Sequence, residues 1–184
     1  QENPYIGDSR NHRIQKLTKD GKFLAKWGKL GGGEGEFDSP WGIALDGQGF
    51  VYVVDHANHR VQKFTPDGEF VAKFGSHGTD AGQLNHPSDV SVDPDGDVYV
   101  CDWGNNRVQI YEPDGESLAA LYGDAVELSK AGIYIMARDP ETIKAFRRVK
   151  DVSHMGLFAR PVGIEIDAQD RIIICDTCGR LQVY

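Results

Sequence analysis

Three stretches of the chain begin with proline and carry the same order of residue types: Pro40-Trp41-Gly42-Ile43-Ala44-Leu45-Asp46, Pro87-Ser88-Asp89-Val90-Ser91-Val92-Asp93 and Pro161-Val162-Gly163-Ile164-Glu165-Ile166-Asp167. Each is followed by a short turn and a hydrophobic run ending in aspartate, at Asp55, Asp102 and Asp176. Asp8 holds the matching place near the start of the chain. Each aspartate opens a polar loop leading to an arginine: Arg13, Arg60, Arg107 or Arg180. Pro40 to Pro87, Arg13 to Arg60 and Arg60 to Arg107 are all steps of 47 residues. A fixed period of this length marks one supersecondary unit used several times, burying its faces against its own copies.

The second copy shows what that unit is. It predicts four strands, over 42–46, 50–55, 61–65 and 70–75, separated by turns such as Thr65-Pro66-Asp67-Gly68, whose glycine can take positive φ. The run Phe50-Val51-Tyr52-Val53-Val54 is apolar on both sides of the pleat, which a strand needs when both faces of its sheet are covered. Val61-Gln62-Lys63-Phe64 alternates, so that strand is expected nearer to solvent. A small four-stranded sheet packed on both faces against its own copies is a propeller blade. The expected fold is therefore all-β, a propeller with a partial blade over 1–39, blades over 40–86 and 87–125, an insertion over 126–158 and a partial blade over 159–184. The first copy supplies its last three strands and the last copy its first three. Those cannot merge into one four-stranded blade, so an open arc is expected, with the missing blades in further chain or another subunit.

The loop pattern Asp-x-x-Asn-x-Arg-[Val/Ile]-Gln, with Asn11-His12-Arg13, Asn58-His59-Arg60 and Asn105-Asn106-Arg107 at its heart, resembles the NHL-repeat β-propellers, a family named after an Asn-His-Leu triplet. The last copy, Asp176-Thr177-Cys178-Gly179-Arg180, is one residue shorter and lacks the asparagine. The order of segments resembles the C-terminal part of bacterial six-bladed propellers of this type. The resemblance implies a fold shared by RNA binders, protein-interaction modules and a few lyases, and so does not choose among them.

Composition narrows the classes. At 184 residues the chain can bury a substantial core, and 22 glycines with 40% hydrophobic content suit strands and turns. A net charge of −8 argues against general nucleic-acid binding, which depends on lysine and arginine to neutralise phosphates. No run approaches the eighteen or so apolar residues of a membrane-spanning helix, and residues 1–5 lack the pattern of a secretion signal. Three cysteines do not make a disulfide framework. The Gly-rich runs 30–35 and 76–82 join strand to strand rather than strand to helix, so they are loops and not phosphate cradles.

The recurring Asp55/Arg60 and Asp102/Arg107 pairs, with Asp8/Arg13 and Asp176/Arg180, are read as structural ion pairs, because a feature present in every copy is a requirement of the fold. Gln15, Gln62, Gln109 and Gln182 share that role. Cys175-Asp176-Thr177-Cys178 has half-site spacing but lacks a second pair. With Cys101 at the position equivalent to Cys175, ordinary thiols are expected. No cofactor and no metal are expected. The stretch from Gly123 to Pro161 is the one elaborated connection, and Asp139-Pro140-Glu141 gives it a helix start. Ile143, Phe146 and Val149 would share a face there, leaving Lys144, Arg147, Arg148 and Lys150 as candidate binding residues for an acidic partner. The expected function is a non-catalytic scaffold that binds a protein or peptide through its blade-connecting loops and the insertion. The alternative is a propeller enzyme, a lyase or hydrolase, with an axial site that a bound metal or a deep pocket lined by His56, His86 and Asp102 would mark. RNA binding comes third.

Overall fold

The computed structural model describes residues 3–123 and 157–184. Among the described residues, the strands form four antiparallel sheets. The first holds β1 (Tyr5–Asp8), β2 (Arg13–Leu17) and β3 (Phe23–Trp27). The second holds β4 (Pro40–Leu45), β5 (Val51–Asp55), β6 (Arg60–Phe64) and β7 (Phe70–Phe74). The third holds β8 (Asp89–Val92), β9 (Val98–Asp102), β10 (Arg107–Tyr111) and β11 (Ser117–Leu121), and the fourth β12 (Pro161–Ile166), β13 (Ile172–Asp176) and β14 (Leu181–Val183). Each sheet is a simple meander in chain order, as expected for blades. The first copy supplies its second, third and fourth strands and the last copy its first three. Among the described residues no strand pair joins the first sheet to the last, so the blades form an open arc.

Blade-to-blade contact is where the core lies. Ile14, Phe37, Val51, Val53 and Phe64 fill the space between the first and second blades, while Tyr52, Phe74, Leu84, Val100 and Tyr111 fill the next. Cys101, Val108, Phe158, Ile164 and Ile174 fill the third. Successive side chains of β5 go to opposite faces, one toward each neighbouring blade, and all five residues are buried.

The expectation that the third strand lies nearer to solvent is wrong. In β6 every residue except Lys63 is buried. The polar side chains that suggested exposure are held internally, Arg60 and Gln62 by a buried hydrogen-bond network and Lys63 by its stem. The Lys63 ammonium sits 4.4 Å from the centre of the Phe50 ring and 4.8 Å from that of Tyr52, and reaches Asp46 at 3.5 Å. The wetter strands are the fourth ones, where Leu24 of β3, Val71 of β7 and Leu118 of β11 are exposed.

Tight connections follow the fourth strands. Gly28 and Gly75 take φ of 97° and 80°, and a Cβ on them would lie 2.6 Å from the Phe37 ring and 2.5 Å from Leu84. Glycine is what lets the connection fold back onto the core. Phe37, Leu84 and Phe158 occupy the same place before the next blade, each with its backbone N–H donating to the carbonyl of a residue just after the preceding strand, at Lys29, Ser76 and Tyr122. Phe158 therefore belongs to the repeat, not to the insertion as the sequence division had it. The helices expected within 126–158 otherwise fall on residues 124–156, outside the described residues.

Candidate functional site

Strand pairing places Pro40 opposite Asp55 and Arg60 opposite Asp55, so the loops after β1, β5, β9 and β13 share one face with the starts of β4, β8 and β12. On that face β5 ends at Asp55, a single 3-10 turn (His56–Asn58) follows, His59 takes a left-handed φ of 56°, and Arg60 opens β6. The Asp55 carboxylate accepts hydrogen bonds from the Asp38 backbone N–H (2.7 Å), Asn58 Nδ2 (3.0 Å), Arg60 Nε (2.8 Å) and Gln62 Nε2 (3.1 Å). Arg60 also donates to the carbonyls of Gly33 (2.7 Å) and Glu36 (3.1 Å), and Asn58 to that of Gly31 (2.8 Å).

The third blade repeats this at Asp102, Asn105 and Arg107. Asp102 accepts from the Asn85 N–H, Asn105 and Arg107, and Arg107 and Asn105 hold the carbonyls of Asp80, Gln83 and Gly78. Burial pushes the Asp102 carboxyl up, and those hydrogen bonds pull against it. Asp8 pairs with Arg13 at 2.8 Å at the more open first blade. In the shortened last copy Arg180 still reaches Asp176, at 2.6 Å, across a turn closed by the Gly179 N–H onto the Asp176 carbonyl. All four pairs are thus ion pairs formed within the fold. Gln109 departs from its equivalents, donating to the Ala119 carbonyl and Ser117 Oγ.

The expected axial pocket of His56, His86 and Asp102 is not assembled. Asp102 is fully buried inside its own knot. The histidines instead build a surface row. Trp41 stacks on His56 (centroids 3.8 Å apart, 12° between planes), His56 meets His86 at 5.1 Å, His86 meets His59 at 4.3 Å, and His59 meets His77 at 4.1 Å. Trp41 at one end is 47% exposed. Reading the sequence for copies alone passed over Trp41, His59 and His77, because two of them sit at repeat positions and the third in a connection.

A separate cleft of ≈ 420 Å³ runs along the axis, lined by β4, β8 and β12 and including Asp89, Ser91 and Glu165. Asp89 stands where the other copies carry Gly42 and Gly163, a departure legible in the aligned sequence. Gly42 leaves the space for it, since a Cβ there would lie 2.3 Å from Asp89 Oδ1; at Gly163 the close neighbour of a Cβ would instead be Cys175 Sγ, at 2.8 Å. Asp89 Oδ2 accepts the Ile164 N–H at 3.0 Å. Burial raises its pKa, and Glu165 adds to the rise.

Cys101 is buried, Cys175 half-buried and Cys178 exposed, all as thiols. Burial pushes the Cys101 thiol well up, with Asp89 and Cys175 adding to the effect, which makes it inert rather than reactive. Among the described residues no group of three or more His, Cys, Asp or Glu is arranged to hold a metal ion. No described helix is long and apolar enough to cross a membrane. Lys144, Arg147, Arg148 and Lys150 lie outside the described residues.

Comparison with known proteins follows this geometry. Residues 37–64 and 84–111 match the NHL repeat. No curated protein matches the chain in sequence. Among solved structures, a streptogramin B lyase is similar over 99% of this chain and 50% of its own, with a TM-score of 0.58 at 17% identity. Virginiamycin B lyase from Staphylococcus aureus is similar over 98% of this chain and 50% of its own, with a TM-score of 0.57 at 15% identity. A dihydro-heme d1 dehydrogenase, NirN, is similar over 93% of this chain and 29% of its own, with a TM-score of 0.55 at 11% identity. The chain thus spans about half the length of the lyases it resembles, and likeness at this identity speaks to the fold.

Proposed function

With NHL repeats set in an arc of propeller blades, the chain belongs with the NHL-repeat propellers, and we propose that it is a binding scaffold whose loop face takes a protein or peptide. The observation that carries this reading is the division of labour on that face. The aspartates, asparagines and arginines of the second and third blades' loops are spent on internal hydrogen bonds, so they hold the surface rather than act from it. What faces outward is the ring row that begins at the half-exposed Trp41, already stacked on His56 and so pre-ordered for contact. Rigid aromatic anchors of this kind dominate binding energy at interfaces. Lys144, Arg147, Arg148 and Lys150 extend the proposal from sequence, supplying positive charge toward an acidic partner.

The test is capture of a partner by the full chain from its native extract, followed by affinity measurement on the identified partner. Trp41→Ala should weaken that affinity by at least about 30-fold, since hot-spot truncations cost about 2 kcal/mol or more. The melting temperature should stay within a few degrees, because the ring is half-exposed. Undiminished affinity in both this variant and one with Lys144, Arg147, Arg148 and Lys150 changed to Ser would remove the proposal.

A second reading, an enzyme working at the axis, is favoured by one observation: the cleft beside Asp89, whose half-buried carboxyl has its pKa raised by burial, the direction a proton donor needs. If that reading holds, Asp89→Asn abolishes turnover while capture through Trp41 persists. Turnover that survives the change would exclude Asp89 as the acid.

A further inference from the structure

Each seam between blades is closed on the loop face by one small device. The left-handed residue after the 3-10 turn offers a side-chain acceptor to the backbone N–H of the residue before the next blade's proline. At the first seam His12 Nδ1 accepts from the Ser39 N–H at 3.2 Å. At the second, His59 Nδ1 accepts from the His86 N–H at 3.0 Å, and at the third Asn106 Oδ1 accepts from the Arg160 N–H at 3.0 Å. The backbone is the same throughout, with φ of 52°, 56° and 54° at the acceptor residues and 58°, 51° and 56° at the donors. Only the chemistry of the acceptor changes.

That change matters, because an amide oxygen accepts at any ordinary pH while an imidazole nitrogen accepts only when it carries no proton. The surroundings differ as well. Beside Asn106 the third seam holds Arg160 over the Trp103 ring at 4.4 Å, with no histidine at the equivalent positions. Beside His12 stands Asp38, whose Oδ1 lies 3.5 Å from Nδ1, so a proton gained there finds a carboxylate. Among the described residues, His59 has no such compensation. Its packed neighbours are His56 on its own turn, His77 in the connection after β7 and His86 before β8, and the nearby carboxylate Asp38 bears on His56. His56 Nδ1 lies 2.9 Å from the Pro87 carbonyl, and His86 Nδ1 lies 2.8 Å from Asn85 Oδ1. Each of these nitrogens therefore carries the hydrogen, and both rings are already committed as donors.

We propose that the seam between the second and third blades is an acid-released latch, in which protonation of His59 at Nδ1 withdraws the acceptor from the His86 N–H and loosens this seam while the third stays closed. A proton from solvent adds to Nδ1 and the N–H···N bond is lost. Nothing else needs to break. The energetic sense agrees with the geometry. Burial first, and then His86, His77 and His56, lower the His59 pKa from 6.5 to about 4. A group whose folded pKa is depressed in this way favours the closed seam while neutral, so its contribution is present above pH 6.5 and is lost as the pH falls toward 4. Between pH 7.5 and 5 this amounts to a loss of roughly 30-fold in the closing equilibrium.

The experiment uses the full chain and amide hydrogen exchange, corrected for intrinsic rates, at pH 7.5 and pH 5. Protection at the His86 amide should fall by roughly 30-fold relative to the Arg160 amide, which serves as an internal reference. His59→Asn installs what the chain itself uses at 106 and should make the two seams behave alike at both pH values. A nitrogen-shift titration of the His59 ring in the unaltered chain gives a readout that does not depend on the variant folding. Its midpoint should lie well below that of an exposed histidine. Equal loss of protection at both seams, persistence of the acid effect in His59→Asn, or a ring midpoint near 6.5 would each overturn the latch.

Discussion

Replacing Arg60 with Ala should destabilise the chain by about 3–5 kcal/mol, because it strands a carboxylate that has no access to water. Asp55 is fully buried and the Arg60 side chain is 9% exposed, so neither charge is screened by solvent. The loss also removes one of two donors from each of the Gly33 and Glu36 carbonyls, leaving the Glu36 N–H on the first and Gln62 on the second. The same pair occurs at the first blade in wetter surroundings, with Arg13 31% and Asp8 20% exposed. Arg13→Ala should therefore cost under about 1 kcal/mol. Urea unfolding of the two variants side by side is the measurement. Equal losses would mean that burial does not set the worth of this motif.

The second large effect concerns packing. Phe64 is fully buried, with ring centres 5.5 Å from Phe37, 5.9 Å from Trp27 and 6.1 Å from Phe70. It joins the second blade to the first and to the connection between them. Phe64→Ala should cost about 3–5 kcal/mol, the removed transfer energy plus a cavity that rigid aromatic neighbours fill poorly. Phe23, on the outer strand β3 and 57% exposed, makes the contrast. Phe23→Ala should stay within about 0.5 kcal/mol. Thermal and urea unfolding of both variants decide it, and a small loss for Phe64→Ala would show that the blades can close over the gap.

Particular residues show what the sequence could reveal. The repeated Asp and Arg positions announced a recurring internal pair, since one partner always followed the other at a fixed offset, and the fold places each pair at 2.6–2.8 Å. Blade composition and the open arc followed from counting strands in the first and last copies. Gln62 and Lys63 misled, because polarity in a single strand does not say whether a side chain meets water or a buried carboxylate. The ring row was hidden for a different reason. Trp41, His56, His59, His77 and His86 come from four separate stretches that meet only when one blade is laid on the next, and the period of the repeat carries no sign of that meeting.

The offset of the internal clamps bears on how such a chain can lengthen. Arg60 and Arg107 each hold carbonyls 27 and 24 residues earlier, and Asn58 and Asn105 one 27 residues earlier. These reaches run back across the connection into each blade, so they act as a ruler: adding a residue between Gly28 and Pro40 would move a carbonyl out of reach. The repeat length is thus fixed by the clamp more than by the strands. The one copy that has dropped its asparagine, Asp176 to Arg180, is also the one preceded by the long connection from Gly123 to Pro161. Phe158, at the far end of that connection, still takes the place of Phe37 and Leu84, so length has been added there without displacing the blade that follows.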